Sequence, residues 1–137
     1  MKKDIEFPQV EGVSVVIARE KNELEQDEWK AYLVNDNEKE LNTIFVTSQG
    51  YASSEAGVDF PEKTSILRHA IPKLGAKDYA MIEIVTEEVF RLNNEFWVSY
   101  YIDEKLYDKK FIFLPFTIQE KNLQKIPILD MEGILHK

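Results

Sequence analysis

The sequence predicts a mostly β protein, an antiparallel sandwich of about seven short strands with at most one or two short helices. Three observations carry this. Apolar residues alternate with period two in segment after segment; Gly, Asn, Asp and Pro punctuate the gaps; and only one or two stretches show even a doubtful helical spacing. An α/β fold would need helices alternating with the strands.

The first strand is "GVSVVIARE" at 12–20, where Val13, Val15 and Ile17 fall on one side and Ser14 and Val16 on the other. "KNELEQDE" then carries charge without β-branched residues. "WKAYLVN" resumes the alternation with Trp29, Ala31 and Leu33 against Lys30 and Tyr32, so the pair reads as a hairpin with a long acidic loop. "NDNEKE" is a turn, because Asn and Asp bond nearby backbone and tolerate left-handed dihedrals. "LNTIFVTS" is the next strand. "QGYASSEAGVDFPEKTS" at 49–65, with two glycines and a proline, marks a long mobile loop.

In "ILRHAIPKLGAKDY" the spacing of Leu67, Ile71 and Leu74 suits a helical face, but Pro72 removes a donor and opposes a helix through it. The expectation is a short strand over 66–69, an irregular crossing, and a turn at Gly75. "YAMIEIV" reads as a half-buried strand with Ala80, Ile82 and Ile84 set against Met81 and Glu83. The aromatic stretch "EFWVSYYIDEKLYDKKFIF" at 95–113 reads as a hairpin turning at "DEK". Phe96, Val98, Tyr100 and Ile102 share one face of its first arm, and Tyr107, Phe111 and Phe113 one face of its second. Burying each large side chain contributes roughly 1.5–3 kcal/mol, so folding alone accounts for most of these aromatics. Trp97 and Tyr101 are left on the opposite face, and burial is the expectation for Trp97 as well. The tail, 116–137, mixes a helical turn ended by Pro127 with a strand-like "GILHK".

The layout "YLVNDNEKELNTIFVTSQG" followed by "IPKLGAKDYAMIEI" resembles immunoglobulin-like sandwiches, a likeness of pattern that implies fold and no function. Nearly the whole chain, notably "VTSQGY", "LRH", "LGAKDYAMIE", "LNNEFWVSYYI" and "DKKFIFLP", is also similar to a family of small Bacteroidetes proteins whose members often carry the label "phenylalanyl-tRNA synthetase subunit alpha". The resemblance implies lineage and transfers no site residue. Synthetase catalysis would need an Arg-containing motif and a Gly-rich motif ending in Arg, whereas this chain has 5 glycines, none so clustered.

Composition bounds the function. At 137 residues the chain fits a single domain, 1–137. Apolar runs such as "VVIA" are far shorter than the roughly 18–20 residues of a membrane span, and no apolar stretch follows the N-terminal lysines, so a cytoplasmic protein is expected. With Cys 0, disulfides, thiolate metal sites and cysteine catalysis are excluded. Asp and Glu number 25 against 17 Lys and Arg, a net charge of −8 that repels phosphate backbones; no nucleic-acid partner is expected.

No catalytic, cofactor or metal residues emerge. His69 and His136 lack the spacing of a triad or zinc motif, and ordinary surface or packing roles are expected for both. The acidic segments 23–28 and 36–40 suggest calcium, yet counting from Asp36 the sixth position is Leu41 where an EF-hand requires Gly. "SQGYASSEAG" lacks the phosphate-loop pattern, and no lysine follows it before Lys63. The leading expectation is a non-enzymatic module that binds another protein or self-associates, with Tyr51, Trp97 and Tyr101 as its contact surface. The alternative is a carrier holding an apolar or carbohydrate ligand between those same three aromatics. Hydrolysis by a carboxylate pair such as Glu83 and Glu87 ranks last.

Overall fold

The computed structural model describes residues 8–53 and 62–136. Nine strands follow in order: β1 (Val13–Lys21), β2 (Asp27–Asn35), β3 (Leu41–Tyr51), β4 (Leu67–Leu74), β5 (Asp78–Val85), β6 (Asn93–Ile102), β7 (Lys105–Phe113), β8 (Gln124–Ile126) and β9 (Met131–His136). They form two antiparallel sheets, ordered β5-β2-β1-β9-β8 and β4-β3-β6-β7. The predicted sandwich is present. Of the first seven strands, β5, β2 and β1 share one sheet and β4, β3, β6 and β7 the other, with β4 paired beside β3. The additional two strands come from the tail: the strand-like "GILHK" falls in β9 up to His136, as expected, whereas β8, only 3 residues long and ending before Pro127, shows no alternation of its own. The helical turn there, Glu120–Asn122, stops at Leu123 rather than at Pro127. No helix among the described residues is long and apolar enough to cross a membrane.

Alternation sets the core. Val13, Val15 and Ile17 of β1 and Trp29, Ala31 and Leu33 of β2 face Leu41, Ile44 and Val46 of β3, Phe96, Val98 and Tyr100 of β6, and Phe111 and Phe113 of β7. Every inward residue expected from the aromatic hairpin lies in or against this core, Ile102 and Tyr107 at its margin. The β1–β2 loop is tighter than expected. Lys21 already pairs with Asp27, and the Asn22 side-chain oxygen accepts hydrogen bonds from the Leu24 and Gln26 amides.

Two irregularities depart from the sequence reading. β4 runs straight through Pro72, because it is an edge strand and the position opposite Thr43 drops out of the ladder, so the missing N–H forfeits no paired bond. In β5 a bulge opposite Ala31 and Tyr32 inserts Ile82; Ile82 and Glu83 both turn inward, and Ile84, expected inside, is 52% exposed. Of the long loop expected at 49–65, β3 claims the residues to Tyr51, which bridges to Lys63; 54–61 lie outside the described residues.

The outer face of the five-stranded sheet has its own small core. Val16, Ala18, Tyr32 and Val34 pack beneath Ile126 and Leu129 of the tail. Gly133 of β9 allows this approach: a Cβ there would lie 2.6 Å from Val16 Cγ1 and 3.2 Å from the Ile17 carbonyl oxygen. The outer face of the four-stranded sheet has no such cover among the described residues.

Asn35 locks the corner where the chain passes between sheets. Fully buried, its side-chain amide donates to the carbonyls of Lys39 at 2.9 Å, Gly75 at 2.9 Å and Leu74 at 3.3 Å, and its oxygen accepts from the Asn37 amide at 3.0 Å. One side chain thus joins the β2–β3 corner to the β4–β5 turn. Asn35→Ala should cost roughly 2–3 kcal/mol in urea unfolding. Asn35→Asp, nearly identical in shape, should cost more, because it sets a charged oxygen against three carbonyls. Tyr100 presents the opposite situation: 1% exposed and stacked on Tyr107 at 5.2 Å, it has a hydroxyl without a hydrogen-bond partner among the described residues, and burial pushes its ionisation well above the usual range. Tyr100→Phe should therefore raise stability by up to about 1 kcal/mol, seen as a higher melting temperature.

Candidate functional site

With the even-numbered residues of β6 committed to the core, Trp97 and Tyr101 must project from the opposite face. They are 43% and 37% exposed, so the expected burial of Trp97 is overturned: the inner positions beside it are taken by Phe96 and Val98. Phe45 joins them from β3, at 53% exposure. Across the sheet, Phe45 lies opposite Ser99 and Ala70, Thr47 opposite Trp97 and Arg68, and Tyr101 opposite Leu106. Phe45 therefore occupies the row between Trp97 and Tyr101, within reach of both along the diagonals.

The Trp97 ring is held from the β7 side. Its Nε1–H donates to Asp108 Oδ1 at 2.6 Å, and Lys110 Nζ lies 4.6 Å from the ring centroid. Both contacts fix an aromatic surface that stays open to solvent, with acidic and basic groups beside it.

Tyr51 does not join this group. It lies on β3 opposite Asn93, four residues beyond the Thr47 level, hence about 13 Å along the strand from Trp97. It is half-buried, and that burial, with the Glu95 charge nearby, raises its ionisation above the usual tyrosine value. The residue missing from the sequence reading is Phe45. The signal was present in "NTIFVT": once Ile44 and Val46 are assigned inward, Phe45 must be outward.

A second cluster forms where the sheets open between β4 and β5. Glu83 Oε1 accepts from Ser48 Oγ at 2.5 Å, and His69 Nε2 lies 2.8 Å from the same oxygen. The carboxylate stands between serine and histidine, so the imidazole is not placed to take the serine proton, and the trio does not form a nucleophile relay. Ser48 and Glu83 border a cleft of about 220 Å³, shared with Thr64, Thr86, Asn94 and Glu95. Glu87, the other member of the sequence-derived carboxylate pair, is exposed in the 3-10 turn Glu87–Val89 and does not line that cleft.

His136 packs edge-on against Phe111 and Phe113 at 5.5 and 5.6 Å. The acidic loop at 36–40 directs Asp36 and Glu38 to Lys77, at 3.1 and 3.3 Å. Among the described residues no group of three or more His, Asp or Glu side chains converges as a metal site would.

Fold and surface together define an antiparallel β-sandwich with one bare aromatic sheet face. Comparisons with protein-family models, curated proteins and solved structures give no match for the chain.

The Ser48, His69 and Glu83 contacts are expected to act on stability. Glu83→Ala leaves the Ser48 hydroxyl, in a residue only 6% exposed, without its partner. It should cost roughly 1–3 kcal/mol in urea unfolding, with Glu83→Gln costing less because an acceptor oxygen remains.

Proposed function

We propose that this protein is a cytoplasmic, non-enzymatic interaction module whose contact surface is the outer face of the β4-β3-β6-β7 sheet. The single observation carrying this reading is that Phe45, Trp97 and Tyr101 lie exposed on adjacent rows of one sheet face while the corresponding face of the other sheet is covered by the chain's own tail. Large aromatics held at a fixed orientation and flanked by charged groups are the composition of a binding hot spot, since they lose little side-chain entropy on contact. The face is broad and open, which suits a protein surface.

A carrier for an apolar or carbohydrate ligand draws less support. Tyr51 is too far from Trp97 to form a wall with it, and the clefts described among residues 8–53 and 62–136 have none of Tyr51, Trp97 and Tyr101 in their walls.

Affinity purification from the native cell tests the proposal. Trp97→Ser and Phe45→Ser should each change stability by about 1 kcal/mol, well below the roughly 3–5 kcal/mol of a core aromatic, and should lose the proteins that the unaltered chain captures. Tyr51→Ser should retain them. An identical captured set from all three variants would refute the assignment of this face.

A further inference from the structure

We infer that this chain also self-associates, two copies joining edge to edge through β7; the inference rests on the interaction-module reading above and adds, beside the aromatic face, the edge that brings two such faces together. The four sheet edges are not equivalent. β4 carries Pro72, β5 carries the Ile82 bulge and β8 has 3 residues, features that blunt strand addition. β7 has 9 residues, no proline and an unbroken register with β6 from Asn94↔Phe113 to Ile102↔Lys105. Its other side pairs with no strand among the described residues.

The hydrogen-bonding pattern fixes which groups that edge offers. Ile102 and Lys105 flank a two-residue turn and form a hydrogen-bonded pair, so Lys105, Tyr107, Lys109, Phe111 and Phe113 bond to β6. The N–H and C=O groups of Leu106, Asp108, Lys110 and Ile112 consequently point to the open side. A second β7 arriving antiparallel can use all four only in registers that pair these residues with one another. With the two-fold axis through Lys109, Asp108 meets Lys110 of the other copy twice and Leu106 meets Ile112 twice. Shifting by one pair in either direction brings Asp108 against Asp108 or Lys110 against Lys110. Charge complementarity therefore selects one register.

This pairing joins two four-stranded sheets into one of eight strands and makes the two aromatic faces continuous. It also places Lys109 opposite its own copy on the inner face, where its ammonium lies 5.0 Å from the Phe111 ring centroid. That like-charge pair opposes association, and it makes the dimer weak and concentration-dependent.

Sedimentation equilibrium on the full chain over a wide concentration range tests the proposal. The unaltered protein should show a monomer–dimer equilibrium. Lys110→Glu should weaken it about tenfold or more, and the swap Asp108→Lys with Lys110→Asp should recover it. Lys110→Pro, which removes an outward N–H together with the ammonium over Trp97 and leaves the β6 ladder intact, should give a folded monomer. Lys109→Thr should tighten the dimer. A strict monomer at millimolar concentration would overturn the proposal while leaving the aromatic face open to a different protein. A dimer broken by Trp97→Ser but untouched by Lys110→Glu and Lys110→Pro would place the contact on the face and overturn the edge.

Discussion

Strand parity is the constraint on which the rest of this structure depends. A β-strand presents alternate side chains to opposite sides, so each strand of a sandwich can give only half of its residues to the interior. Here the interior is filled by Val15, Ile17, Leu33, Ile44, Val46, Phe96, Val98, Tyr100 and Phe111, all at or below 2% exposure. Once those positions are taken, large apolar residues at the other parity have no place inside. Trp97, Tyr101 and Phe45 are exposed for that reason, although nothing about their chemistry distinguishes them from Phe96 or Tyr100.

The two outer faces are treated differently, and that difference gives the molecule its direction. On the five-stranded sheet the tail returns over Val16, Tyr32 and Val34, with Gly133 permitting the close approach of β9 to β1. The opposite sheet bears its aromatics exposed, Trp97 among them oriented by Asp108 and Lys110 of β7. The same two residues that steady Trp97 lie beside the one long regular edge, so the face and the edge form a single surface. Asn35 supports this arrangement from within by fastening the crossings between sheets, so that the strands carrying the face stay in register with the core.

Irregular positions account for the polar chemistry inside the sandwich. The Ile82 bulge turns Glu83 inward, where it would otherwise face solvent like Met81. Ser48 and His69 bond the resulting half-buried carboxylate from the facing sheet, linking β3, β4 and β5 at the open side. A carboxylate bonded to both neighbours through one oxygen is held as a structural tie.

From its residues alone, the chain determined its class, the strands β1, β2, β3, β5, β6 and β7, and the inward faces of the aromatic hairpin, because period-two alternation is a local property that each segment carries by itself. It also determined that Trp97 and Tyr101 lie together on the face opposite Phe96 and Tyr100. Tertiary structure decided what alternation cannot express. Pro72 is tolerated because β4 is an edge; Ile84 is expelled because a bulge shifts the parity of β5; Gln124–Ile126 becomes a strand because β9 offers it a partner. Whether Trp97 is covered depends on what packs over its face, and that Tyr51 is remote while Phe45 is adjacent depends on register between strands distant in sequence. These are relations between segments, set by packing across the whole sandwich, and no single segment contains them.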